Sequence, residues 1–427
     1  MNICVVGLGK IGLPLAVQFA SRGHQVIGAD HAPRVAALVG QGEVPFPGEQ
    51  DLDVRLKQAV WGGLLTTTTD TSWAVSASAA VVVVVPLYVD ISGVPDFSGI
   101  DAATDAIAAG LRRGTLISYE TTLPVGTTRD RWAPRLASGS GLRPGLDFHL
   151  VYSPERVLTG RVFADLRRYP KLVGGLDAAS GLSGARFYAS VLDFDARLDL
   201  PRANGVWNLG SSEAAELAKL AETTYRDVNI GLANQFARFA DRIGVDLHQV
   251  IEACNSQPYS HLHAPGIAVG GHCIPVYPQM YLWGDEDATI VRAARDANTA
   301  MPGYAVELLE KAYGDLSGVG VLVLGAAYRG GVKETAFSGV FPVVEALRRR
   351  GALPYVTDPL YPRDELITLG LPPYSGEPVG AAVVQADHAE YTTLCAGDLP
   401  GVRVLVDGRR ITDPAHWQGV RRVVIGA

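Results

Sequence analysis

The sequence predicts an α/β protein: two Rossmann-like doubly wound domains joined by a helical middle region with a long central helix. Three observations carry this expectation. Short β-branched runs alternate with helical patterns over the first 200 residues, a proline-free helical stretch begins at Ser211, and a second series of short strands begins at Gly320. A chain of 427 residues exceeds what one hydrophobic core usually holds. The expected division is 1–200, 201–305 and 306–427.

Residues 3 to 7, ICVVG, read as a strand, followed by Gly7-x-Gly9-x-x-Gly12 and the apolar stretch Leu13 to Ala20. A second strand, Gln25 to Ala29, ends in Asp30. Strand, glycine turn, helix, strand and acid in this order form the dinucleotide fingerprint, because the glycines let backbone approach a pyrophosphate and the acid accepts from a ribose hydroxyl. An acid there repels a 2′-phosphate, so NAD is expected over NADP. Further strands are expected at Ala79 to Val85, Thr115 to Ser118, His149 to Tyr152 and Lys171 to Val173, with the rhythm of a parallel sheet. The seven-residue run from Ala79 is apolar without alternation, as in a central strand covered on both faces.

From Ser211 to Gly244 the chain reads as one helix, with Ser211 and Ser212 as caps and Gly244 as the stop. It would be roughly 50 Å long, enough to bridge domains or form a dimer core. Its face carrying Ala215, Leu217, Leu220 and Ala221 is small and apolar. Helical segments around Leu247 to Ala253 and Ala288 to Ala300 complete the middle region. Beyond it, strands are expected at Gly320 to Gly325, Pro354 to Thr357, Ala381 to Val384, Val402 to Val406 and Arg422 to Ile425, with a helix over Val340 to Arg350.

Composition narrows the function classes. Hydrophobic residues at 48% and charged residues at 19% are an ordinary globular balance. A net charge of -7 argues against a nucleic-acid partner. The cysteines at 4, 254, 273 and 395 are widely spaced and show no disulfide framework, which fits a reducing cytoplasm. No signal peptide or membrane-spanning run is expected.

One cysteine stands apart. Cys273 sits in APGIAVGGHCIPVYP, from Ala264 to Pro278, where glycines at 266, 270 and 271 permit close approach and prolines at 265 and 275 stiffen the flanks. Such a loop suits a nucleophile, although a buried structural cysteine would also fit. Zinc held by His261, His263, His272 and Cys273 would match no standard finger spacing, and no metal is expected. A dinucleotide fold with a poised thiol points to an NAD-linked oxidation through a covalent thiol adduct.

These motifs resemble the nucleotide-sugar 6-dehydrogenase family. VVGLGKIGLPLA at 5–16, ETTLPVGTT at 120–128, YSPERVLTG at 152–160, AKLAETTYRDVNI at 218–230 and PGIAVGGHCIP at 265–275 follow the family's order. SPERVL, RDVNI and GGHC look like the branch acting on UDP-N-acetylhexosamines such as UDP-N-acetylglucosamine or UDP-N-acetylmannosamine. The resemblance implies oxidation of C6 to the uronic acid by two hydride transfers. It makes Cys273 the nucleophile, Lys219 the oxyanion donor, Thr122 the holder of the catalytic water, and Glu155 an acid/base group or water-ordering carboxylate; Thr223, at the family's second donor position, could retain that role through a water. Glu155 could instead pair with Arg156 as a structural carboxylate.

The implied cofactor residues are Gly7, Gly9, Lys10, Ile11, Gly12, Asp30, Arg34, Pro86, Thr122 and Glu155. The implied UDP-sugar contacts are Glu155, Arg156, Val157, Leu158, Lys219, Thr223, Gly270, His272, Tyr277, Arg329 and Lys333. A homodimer through the long helix is expected. The departures are Thr223 where the family usually has Asn, Tyr277 where Asp is usual, and Ala336 where Arg is common. They leave open UDP-glucose or a modified sugar nucleotide as substrate, a reaction that stops at the aldehyde, and a non-catalytic sugar-nucleotide sensor. Retention of Cys273 and Lys219 argues against the sensor, which needs neither.

Overall fold

The computed structural model describes residues 1–90 and 92–427. It forms two compact units, Met1–Glu222 and Thr223–Ala427, whose boundary falls inside the long helix Ser212–Ile243. The Ser211 hydroxyl accepts from the Ala214 N–H at the start of that helix, and Gly244 ends it with φ +71°. Its apolar residues do not share one face as expected. Ala215 and Leu220 are fully buried, whereas Leu217 and Ala221, one turn apart, face outward.

The first unit is built on strands β1 (Asn2–Val6), β2 (Gln25–Ala29), β3 (Leu65–Thr68) and β4 (Ala80–Val83), a small hairpin β5 (Tyr88–Val89) and β6 (Pro95–Asp96), then β7 (Leu116–Tyr119), β8 (His149–Tyr152), β9 (Lys171–Gly175) and β10 (Val206–Asn208). The main sheet has the order β10-β9-β8-β7-β4-β1-β2-β3. All four residues of β4 are buried, as its unbroken apolar run predicts. β3 and β10 escape sequence reading because one is mostly threonine and the other has three residues.

The pairing of β8 with β9 departs from the expected parallel sheet. It is antiparallel, with Tyr152 opposite Gly174 and Val151 opposite Gly175. The connecting segment 153–170 returns at the edge it left instead of crossing over the sheet. The ends of β7 and β8 and the beginning of β9 therefore share one sheet edge.

The second unit carries a five-stranded, wholly parallel sheet of β11 (Gly320–Leu324), β12 (Leu353–Thr357), β13 (Ala381–Val384), β14 (Val404–Asp407) and β15 (Arg421–Val424), in the order β12-β11-β13-β14-β15. Helices Met301–Tyr313 and Val340–Arg348 close its core through Ala305, Leu309, Val343 and Leu347. Two helices that the sequence reading did not separate, Tyr277–Gly284 and Met301–Tyr313, complete the region between cysteine loop and sheet.

The two sheets repeat one device. Asp30 after β2 accepts from the Leu8 and Ala32 N–H groups, at 2.8 and 2.9 Å, and so fixes the turn after β1. Asp358 after β12 accepts from Ala326 and Ala327, at 2.7 and 2.9 Å, in the turn after β11. Asp358 also lies 3.0 Å from His388 Nε2 and is buried, so this second acid is held between the turn and His388.

Candidate active site

The glycines of the first turn do three separate things. Gly7 takes φ +92°, a side chain at Gly12 would collide with the Gly7 carbonyl at 1.9 Å, and a side chain at Gly9 would meet nothing within 4 Å. Gly7 makes the turn, Gly12 brings helix onto strand, and Gly9 leaves open space where a pyrophosphate can reach backbone N–H groups. A cavity of about 930 Å³ opens at the carboxyl ends of β1, β2 and β4, where such sheets bind nucleotides. The residues present thus fit NAD. Gly7 and Pro86 line this cavity, as do His31, Asp70, Tyr88 and Ser98, which sequence reading missed. Asp30 stands between its wall residues Ala29 and His31, whereas Lys10, Ile11, Arg34, Thr122 and Glu155 do not line it.

At the sheet edge shared by β7, β8 and β9, the structure gathers a buried charged cluster. Lys171 Nζ donates to Glu120 Oε2 at 2.5 Å and to Glu155 Oε2 at 2.8 Å. The other oxygen of Glu120 accepts from Tyr188 Oη at 2.6 Å, and the other oxygen of Glu155 accepts from the Arg156 N–H at 2.6 Å. Burial pushes Glu120 up to about 7 against the pull of Lys171. Burial acts on Glu155 in the same direction, but the Lys171 charge and hydrogen bond outweigh it and hold that carboxyl below its ordinary range. The Arg156 guanidinium pairs with Glu222 at 2.9 Å, so the charged partner of Glu155 is Lys171. Glu120 and Lys171 escaped sequence reading because nothing local marks either as paired.

The long helix meets this cluster through Lys219, whose Nζ donates to the Glu155 carbonyl at 2.7 Å. One turn earlier, Glu216 accepts from the N–H groups of Gly126 and Thr128 at 2.6 and 2.9 Å and from the Thr128 hydroxyl at 2.6 Å. That carboxylate ties the helix to the 120–128 loop, on which Thr122 is buried. Leu158 is exposed on the SPERVL segment, and Val157 packs on the core.

In the second unit Cys273 is exposed, whereas Cys4 is buried and its thiol is pushed up to about 12 by burial. A buried structural role thus belongs to Cys4 and not to Cys273. Both ends of the cysteine loop are anchored by a buried polar chain. Gly266 N–H donates to Asn234 Oδ1 at 2.9 Å, Asn234 donates to Asn298 at 2.8 Å, and Asn298 donates to Asp227 at 2.8 Å. Arg295 Nη1 then bridges Asp227 Oδ1 at 2.9 Å and the Ile274 carbonyl at 3.2 Å, next to the thiol. Asp227 belongs to the RDVNI motif, so that motif braces the cysteine loop through Arg295.

The loop's glycines answer to Tyr328. A side chain at Gly270 would lie 2.6 Å from Tyr328 Cβ, and Gly271, at φ +87°, would meet the Tyr328 ring at 3.0 Å. The cysteine loop therefore packs on the 327–339 segment that carries Arg329 and Lys333. Arg329 Nε bonds Tyr328 Oη at 2.9 Å, Lys333 pairs with Glu365 at 2.7 Å, and His272 lies 3.3 Å from Glu334. Tyr277 opens the helix Tyr277–Gly284, its N–H on the Cys273 carbonyl at 2.9 Å. Thr223 is buried on the long helix, one turn beyond Lys219. Sequence reading missed Arg409, which donates to the carbonyls of Gln385 and Tyr328 at 2.7 and 3.2 Å. Gln385 is fully buried, and neither of its amide atoms has a hydrogen-bond partner among the described residues.

Residues 1–192 match the NAD binding domain, and 213–300 the central domain, of the UDP-glucose/GDP-mannose dehydrogenase family. The chain is 34% identical over 425 residues to the UDP-N-acetyl-D-mannosamine dehydrogenase of Pyrococcus horikoshii, covering 96% of each. It is 32% identical to the NDP-N-acetyl-D-galactosaminuronic acid dehydrogenase of Ralstonia nicotianae, over 81% of this chain and 80% of that one. The solved structure of the Pyrococcus horikoshii enzyme superposes with a TM-score of 0.88 at 32% identity, covering 100% of this chain and 99% of that one.

Proposed function

Because this chain belongs to the UDP-glucose/GDP-mannose dehydrogenase family of NAD-dependent oxidoreductases, we propose that it oxidises C6 of a UDP-N-acetylhexosamine, UDP-N-acetyl-D-mannosamine foremost, to the uronic acid. The observation that carries this reading is an exposed Cys273 on a loop anchored at both ends, in a chain that aligns almost end to end with a relative of that name. NAD, when bound by the glycine turn and the cavity beyond it, supplies the acceptor for the two hydrides that alcohol-to-acid conversion releases. Cys273 adds through sulfur to the aldehyde carbon and holds it as a thiohemiacetal and then a thioester, so the aldehyde is not released. Water cleaves the thioester, giving the carboxylate and restoring the thiol.

Glu155 takes a proton from the attacking group or orders the water, a role suited to a carboxyl kept ionised by Lys171. Lys219 and Thr223 donate to developing oxyanion charge, and Thr122 holds the water. Arg329, Lys333 and Arg409 are the cations available for a diphosphate. We assign a homodimer to the long helix, where Leu232, Phe236, Phe239 and Ile243 are partly exposed at spacings that place them on one face. The three-part division at 200 and 305 stands as part of the same proposal.

The test is a panel of UDP- and GDP-sugars with NAD, read by NADH released per sugar and by product mass. Two NADH per UDP-N-acetylmannosamine and a uronic acid are expected. One NADH and an aldehyde would place Thr223 and Tyr277 behind a one-step oxidation. No turnover on any sugar, with binding retained, would make the chain a sensor.

A further inference from the structure

We propose that Lys171 and Glu120 are positioning residues that fix the orientation and charge of Glu155, forming a buried proton-holding chain with Glu155 as its one outward-facing end. The inference rests on the reading of Glu155 as the acid/base group. Its geometric basis is the antiparallel turn-back of β9. Glu120 follows β7, Glu155 follows β8, and Lys171 begins β9, so three residues far apart in sequence meet at one edge. The side chains of Glu120 and Lys171 are 0% and 4% exposed, against 11% for Glu155. Inward, the chain ends at Tyr188 Oη, which lies 2.6 Å from Glu120 and 2.7 Å from Ser118 Oγ. Outward, Glu155 borders a small cleft with Asp165, Tyr169 and Arg156.

Two carboxylates share one ammonium here. Were Lys171 serving Glu120 alone, Glu155 would be a carboxyl in a poorly hydrated place and would hold its proton. Lys171 divides its donors between them, but Glu120 is wholly buried whereas Glu155 keeps some exposure and also accepts from the Arg156 N–H, so burial disfavours charge more at Glu120 and the ionised end of the chain is Glu155. The remaining charged groups around it are committed elsewhere. Arg156 is paired with Glu222, Asp165 with Arg161, and Lys219 donates to the Glu155 carbonyl. The helix carrying Tyr188 adds no other charge to the chain among the bonds described.

The inference makes opposite predictions for its two members. Lys171→Met removes the cation, and the acid limb of the kcat/KM profile for UDP-N-acetylmannosamine with NAD should move up by about one pH unit or more. Glu120→Gln gives Lys171 to Glu155 alone, and the limb should move down. Lys171→Arg should return it toward the wild-type position. The 13C titration of the Glu155 carboxyl, assigned by its loss in Glu155→Gln, should follow the same order whether or not the sugar turns over. Glu120→Gln is nearly isosteric and secures the test where Lys171→Met fails to fold. Unmoved titrations in Glu120→Gln, or shifts in one direction for both variants, overturn the inference. If instead the carboxyl shifts as expected while Glu155→Gln keeps the wild-type acid limb, the positioning stands and the acid/base reading of Glu155 falls.

Discussion

Arg295→Met should destabilise the protein far more at pH 8 than at pH 5. Arg295 is buried beside Asp227 at 2.9 Å, and Asp227 Oδ2 has no hydrogen-bond partner among the described residues. Burial raises Asp227 from 3.8 to about 6, with Arg295 and Asn298 acting against it. A native value above the unfolded one means that the folded state favours the protonated acid. This group's contribution is therefore fully present below about pH 4 and is lost as pH rises through 6. Each pH unit separating the two values is worth about 1.4 kcal/mol, so the wild type gives up about 3 kcal/mol by pH 8. Without the guanidinium the acid rises further, and the loss continues to pH 8, adding about 2–3 kcal/mol there and almost nothing near pH 5. With the lost bond to the Ile274 carbonyl, the pH 8 total should reach the about 3–5 kcal/mol typical of removing one member of a buried pair. The assay is urea unfolding of both proteins at the two pH values, followed by tryptophan fluorescence. Equal destabilisation at pH 5 and pH 8 would refute the reasoning, since it would mean that packing alone is lost.

Cys273→Ser should abolish acid formation while leaving sugar-nucleotide binding within about twofold by calorimetry, because a hydroxyl lacks the thiolate's nucleophilicity at neutral pH; wild-type product yield by mass would end the covalent reading. Asp30→Ala should weaken NAD and also loosen the glycine turn, since the Leu8 and Ala32 N–H groups lose their acceptor at about 1–3 kcal/mol each where buried; calorimetry with NAD and a melting curve read the two effects separately. Phe236→Glu with Phe239→Glu should yield monomers by light scattering if the long helix pairs two copies, and an unchanged mass would move the interface elsewhere.

What the sequence determined by itself was whatever depends on local pattern. Gly7, Gly9, Gly12 and Asp30 lie within one strand–turn–helix–strand unit, and their spacing alone dictates turn, approach and acid. The buried run at β4, the Ser211 cap and Gly244 stop of the long helix and the loop glycines around Cys273 are legible for the same reason: each is a property of a few consecutive residues, although Ser212, also expected as a cap, is the first helical residue and bonds Glu213 instead. Tertiary structure alone decided what depends on which segments become neighbours. Nothing in KLVGG says that its strand runs against β8, yet that direction puts Lys171 between Glu120 and Glu155. Leu217 and Leu220 read alike on paper, and only packing sends one outward and the other into the core. The chain from Gly266 through Asn234, Asn298 and Asp227 to Arg295 likewise joins residues up to 71 positions apart. Hydrogen bonds between side chains brought together by folding leave no periodicity in the sequence, because each partner's residue type is compatible with many other surroundings.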